Sequence, residues 1–230
     1  MNGGVFNSFN LNPYAYCAQN PLKYVDPTGK VVKPADDEAL EMIQNTVTPE
    51  ESKYVKLDKN GCIDKKTINS YKGEGGENFN DLKNMINSKT TVDVELVPNG
   101  SQYSGGLALS WSEPFDYDYE FYGITPPAPE PTDLSTGENG VYGITLMPAK
   151  EALSPSPDKN IKVYINKAYS AAGRADAFAH EGYGHANFFI NTKNYEKSIH
   201  QIEGNRDLNT PLIERIGRVM QETTRNMRTR

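Results

Sequence analysis

The chain has 230 residues, 37% of them hydrophobic, and a formal net charge of −6, with a pI near 5.2. That is enough apolar material for one sizeable core, and the acidic balance argues against a general nucleic-acid binder, because phosphate contacts need a basic surface. No run of about 18 apolar residues is present, so membrane insertion is not expected, and the N-terminus lacks the basic and apolar regions of a signal peptide, so any export is expected to be encoded elsewhere in a longer chain.

Residues 1–30 carry Asn12-Pro13-Tyr14-Ala15-Tyr16-Cys17-Ala18-Gln19-Asn20-Pro21-Leu22-Lys23-Tyr24-Val25-Asp26-Pro27-Thr28-Gly29. Turn-forming Asn-Pro and Asp-Pro-Thr-Gly punctuate short aromatic pieces, which predicts brief strands and turns with too little apolar mass to fold alone. The segment resembles the end of the Rhs repeat-associated core, whose last repeat reads much like N-P-Y-x-Y-C-x-N-N-P-L-x-Y-V-D-P-x-G. In that family a large cage of tyrosine-aspartate repeats ends here and a variable C-terminal domain, often a toxin, follows. The resemblance implies an appendage over 1–30 and a variable domain over 31–230. It also implies a secreted or cell-surface setting within a larger Rhs protein, delivery to a target cell, and an immunity protein as partner. The other reading is a native N-terminal arm of an independent protein. Cys17 and Cys62 lack C-x-x-C spacing and read as two ordinary thiols.

Beyond the boundary, Pro34 and Asp36-Asp37 open a helical pattern with Leu40 and Ile43 on one face, the acids suiting its first turn. Thr48-Pro49-Glu50-Glu51 has the N-cap, N1 proline and N3 glutamate of a capping box, so a second short helix starts there. Asp58 to Asp64 shares its opening with an EF-hand loop, but Asn69 stands at the twelfth position in place of glutamate, and the stretch reads as an Asn-Gly turn. Phe79, Leu82, Met85 and Ile86 recur at helical spacing, and residues 91–97 alternate as a half-buried strand. Leu107 to Trp111, Val141 to Met147 and Ile161 to Ile165 are further strand candidates. Between Ser112 and Gly137 runs an acidic, aromatic, proline-rich stretch, expected to be a mobile surface loop or a flap. Strands followed by a metal-site helix make the predicted class α+β, a small sheet with a zincin-like helix and a C-terminal helix.

Ser170 to Ile190 is that helix, and it contains Ala179-His180-Glu181-Gly182-Tyr183-Gly184-His185-Ala186. The chain has only three histidines, and His200 is the third. Two imidazoles flanking a carboxylate are the material of a zinc hydrolase site, with zinc preferred for imidazole plus carboxylate and nickel, manganese or iron as other candidates. The usual H-E-x-x-H motif spaces its histidines by four residues. Here the spacing is five, which on a regular α-helix turns the rings apart by about 140°. A π-type wide turn brings them back to one side, and Gly182 and Gly184 stand where its unusual dihedrals would fall.

The string resembles the H-E-x-x-x-H motif of the dipeptidyl-peptidase III family of zinc peptidases. The resemblance implies His180 and His185 as zinc ligands and Glu181 as general base, and it covers the motif alone. That family's third ligand is a glutamate in a downstream motif without a counterpart here. Among the residues that follow, His200 ranks first as third ligand, because imidazole is a frequent zinc ligand and a loop from Asn191 can return it to the helix; Asp207 and Glu203 are the alternatives.

Thr210-Pro211 starts the last helix, with Leu212, Ile216, Val219, Thr223 and Met227 on one stripe and a basic end at Arg225, Arg228 and Arg230 that suits the helix dipole. Taken together, these readings give a zinc-dependent metallopeptidase-like toxin domain that hydrolyses peptide bonds of a target protein. The alternative is a non-catalytic metal-binding or interaction domain at the end of an Rhs protein. A nuclease or deaminase toxin fits less well, for want of a basic face and of any H-x-E…P-C-x-x-C pattern.

Overall fold

The computed structural model describes residues 31–103, 132–134, 141–149, 156, 158–203 and 206–230. Residues 1–30, expected to be an appendage and including Cys17, the Leu107 to Trp111 strand candidate and most of the 112–137 stretch lie outside those residues.

A four-stranded mixed sheet carries the domain, in the order β1 (Val32–Pro34), β2 (Val92–Val97), β6 (Ile161–Asn166), β5 (Gly143–Leu146). β1, β2 and β6 run parallel, and β5 is the antiparallel edge strand, with Gly143 opposite Ile165 and Leu146 opposite Lys162. Alternation decides which face is buried. Val92, Val94, Ile161, Val163 and Ile165 are buried, whereas Asp93, Glu95, Lys162 and Tyr164 point the other way and are less covered. Part of that second face is sheltered by a two-stranded antiparallel sheet, β3 (Ser101–Tyr103) with β4 (Thr132–Leu134), whose Tyr103 stacks on Tyr164 with ring centroids 4.3 Å apart. Thr132–Leu134 therefore corrects the expectation of a surface loop through Gly137: this triplet pairs as a strand and buries Leu134 completely, since its apolar side chain closes a cluster with Val97, Ile144 and Leu146.

On the buried face lie α1 (Asp37–Asn45), α2 (Pro49–Ser52), α3 (Lys65–Asn69) and α4 (Glu77–Asn87). Each of the first three starts on a side-chain cap: Asp36 accepts from the Ala39 amide, Thr48 and Glu51 make the reciprocal capping box, and Asp64 accepts from the Lys66 amide. The Asn-Gly turn forms with Asp58 accepting from the Asn60 and Cys62 amides and Gly61 at φ 76°, a conformation that favours glycine. α4 has glycine at its N-cap, so carboxylates from elsewhere serve instead: Glu51 accepts from the Gly76 amide and Glu222 from the Asn78 amide. Phe79, Leu82, Met85 and Ile86 are its fully buried face, each contributing roughly 1.5–3 kcal/mol by leaving water.

The site helix runs from α5 (Ala171–Phe178) through a π-helix (Ala179–Ala186) into α6 (Asn187–Thr192), where Lys193 at φ 53° ends it. A 3-10 turn (Glu196–Ser198) and a small hairpin, β7 (Ile202–Glu203) with β8 (Arg206–Asp207), follow. The last helix, α7 (Thr210–Arg228), packs Leu212, Ile216, Val219 and Thr223 against the π-helix and α4. At its basic end, the Arg230 guanidinium donates to the carbonyls of Gln44 and Val47, tying the residues after α7 to the end of α1 and the turn that follows it. Among the described residues, no helix is long and apolar enough to cross a membrane.

Candidate metal centre

The five-residue spacing of His180 and His185 is resolved by the wide turn: the Asn187 amide reaches back to the carbonyl of Gly182, five residues earlier. With the extra residue absorbed, the two Nε2 atoms stand 3.1 Å apart. The two glycines of the motif serve a purpose other than the dihedral freedom expected of them, since neither has a positive φ. A Cβ on Gly182 would lie 2.8 Å from the Phe178 ring, and one on Gly184 would lie 2.7 Å from Ile216 Cγ1. Glycine is needed there for close approach, by a ring on one side and by α7 on the other. Arg215 of α7 adds a polar tie, its Nε donating to the Tyr183 carbonyl at 2.7 Å while its other end pairs with Asp81.

His200, from the strand-like segment before β7, brings its Nε2 to 3.2 Å from that of His180. The three imidazoles form a cluster whose ligand atoms all lie within 4.8 Å of one another. Two nitrogens bound to one zinc at about 2.0–2.1 Å and a tetrahedral angle would stand ~3.3 Å apart, so the 3.1 and 3.2 Å separations suit a shared ion.

The outer nitrogens decide how the inner ones are protonated. His185 Nδ1 donates to the Ser198 carbonyl at 2.6 Å, and His200 Nδ1 donates to the Asp207 carboxylate. Both Nε2 atoms are thereby left as lone pairs aimed at His180 Nε2. His180 has one proton at most to offer two acceptors. A cation at the centre satisfies all three. Burial further depresses the pKa of His185 and lowers that of His180 to about 4, so both are held in the neutral, metal-binding form at neutral pH.

The hairpin sets the third imidazole. Partial burial pulls the Asp207 carboxyl upward, but hydrogen bonds from the Asn209 amide, His200 and the Gln201 amide outweigh it and hold the group below its usual range. Asn209 in turn donates to the carbonyls of Lys197 and Ile199 at 2.9 and 2.7 Å, clamping the loop that carries His200. The structure thus places Asp207 behind His200. Glu203 is exposed on β7, opposite Arg206, and lies outside the cluster.

Glu181 is largely buried, with one carboxylate oxygen 4.0 Å from His180 Nε2. Thr145 of β5 holds it, the hydroxyl lying 2.7 Å from the other carboxylate oxygen and 3.0 Å from the Glu181 carbonyl. A cavity of about 720 Å³ opens beside the cluster between β5 and the site helix, with Gly143, Thr145, Asp176 and Met220 in its walls. Thr145, Ser198, Asn209 and Arg215 were not legible in the sequence, because each acts on the site through a contact between residues distant in the chain or through its backbone.

No family model, curated protein or solved structure matches the chain.

Proposed function

We propose that this chain is a zinc-dependent metallopeptidase-like effector domain, in which His180, His185 and His200 hold the ion and Glu181 is the general base. The observation that carries the reading is the convergence of three Nε2 atoms, two of them fixed as lone pairs by Ser198 and Asp207. Three imidazoles with room for a further ligand match the donor set of catalytic zinc better than that of magnesium or calcium, which take oxygen ligands. Zinc in such a site supplies Lewis acidity and makes water a nucleophile near neutral pH.

The chain's own residues supply the remainder. Glu181, held beside the cluster by Thr145, takes the proton of the attacking water and passes it to the leaving amine. Among the described residues β5 is an edge strand whose residues line the cavity, so an extended peptide fits there by strand addition, and this favours a peptide bond as the target. The Rhs-like stretch over 1–30 supports a toxin delivered as the end of a larger secreted or cell-surface protein, with an immunity protein as its partner.

The test has two arms. Protein purified without a metal-affinity tag is expected to contain about one equivalent of zinc. A proteome-wide cleavage screen should then give fragments with the wild type that Glu181→Gln, still zinc-loaded, does not produce. Folded protein that takes up no zinc sinks the metal site. Identical fragments from both proteins sink the peptidase reading and leave a non-catalytic metal-binding domain.

A further inference from the structure

Asp176 lies four residues before His180, on the same face of the site helix and about 6 Å back along its axis, and it lines the cavity. It is half-buried, and its described hydrogen bond is a long one, 3.5 Å from the Thr224 hydroxyl. Other partly buried aspartates in the described residues are closely held: Asp81 by Arg215, Asp93 by Lys162, and Asp207 by His200 and two amides. Burial lifts the Asp176 carboxyl, with only Thr224 opposing it, as happens to a carboxylate that lacks a cation.

Among the described residues the cavity around it has no lysine or arginine in its walls, and apart from the imidazoles its charged groups are Asp176 and Glu181. Ala177, Met147 and Met220 supply apolar wall against which an aliphatic stem can lie while its charged head is paired. One turn of helix corresponds to roughly two residues of extended peptide.

We propose that Asp176 determines specificity, pairing with a cationic group of the substrate, an ammonium or guanidinium, close to the bond being cleaved. The proposal rests on the peptidase reading for its role in turnover, but the recognition can be measured without turnover. Isotope-labelled full chain is titrated with Nα-acetyl-lysine amide, with norleucine amide, whose only cation is the α-ammonium, and with neutral Nα-acetyl-norleucine amide, following the Gly173 and Ala177 amide resonances. At least one cationic probe should bind about tenfold more tightly than the neutral one. The preference should vanish in Asp176→Asn and persist in Asp176→Glu, with Asp176→Ser replacing the first variant if it fails to fold. Preference for the lysine probe assigns a basic side chain, and preference for norleucine amide assigns a chain terminus. Equal affinity for charged and neutral probes, absence of shifts with any probe, or an undiminished preference in Asp176→Asn overturns the proposal. Intact cation preference together with no Glu181-dependent cleavage removes the peptidase reading and leaves the subsite standing.

Discussion

Asp207→Asn tests how the third imidazole is aimed. In the native hairpin one carboxylate oxygen accepts from the Gln201 and Asn209 amides, and the other accepts from His200 Nδ1. Asparagine can keep the first pair of bonds through its oxygen, but its NH₂ then faces a donor. His200 relieves the conflict by moving its proton to Nε2, which removes the lone pair from the cluster. Loss of such an outer partner lowers metal affinity by roughly 10–100-fold, or about 1.4–2.7 kcal/mol. Because the hairpin's main-chain bonds survive, the zinc-free protein should unfold at nearly the wild-type denaturant midpoint. Competition against chelators of graded zinc affinity measures the first quantity, and urea unfolding of the zinc-free protein the second. Unchanged zinc affinity would refute the argument. Complete loss of stoichiometric zinc would instead show that Asp207 is itself a ligand.

Gly184→Ala should destabilise by roughly 1–3 kcal/mol through overpacking, since the new Cβ would lie 2.7 Å from Ile216 Cγ1, and urea unfolding checks it. Combining it with Ile216→Ala, which removes the clashing atom, should cost less than the sum of the two changes. Glu222→Gln probes the carboxylate at the start of α4. Burial raises its pKa above the ordinary 4.5, so its contribution to stability is fully present below that value and is lost as pH rises through the folded-state pKa. Unfolding free energy should therefore fall less steeply from pH 4.5 towards neutrality in the variant than in wild type. Deleting residues 1–30 should leave cooperative unfolding, whereas deleting through Lys33 removes two of the three residues of β1, the fully buried Val32 among them, costing at least roughly 1.5–3 kcal/mol by differential calorimetry or urea unfolding.

Much of the fold was legible because its signals are local. Helix starts at Asp36 and Thr48 lie within three residues of the amides they cap, whereas the short helix capped by Asp64 was hidden behind the Asn-Gly turn. The α4 stripe and the β2 and β6 alternation show in the order of apolar residues. At the site, the reason for a wide turn was legible, since a spacing of five from His180 to His185 does not suit a regular α-helix. It misassigned the glycines, because the space that Phe178 and Ile216 occupy beside them is not a local property.

By itself, then, the sequence determined the α+β class, the capped starts of the first two helices, the deviation within the site helix and the supply of imidazoles. Tertiary structure decided which oxygen fixes each tautomer, what holds Glu181 and which carboxylate is left without a cation among the described residues. Those outcomes depend on contacts such as Thr145 with Glu181, 36 residues apart, and Arg215 with Tyr183, 32 apart. Periodicity and capping report a residue's relation to its neighbours over one or two turns, and they contain no term for a partner that arrives only when the sheet, the site helix and α7 close on one another.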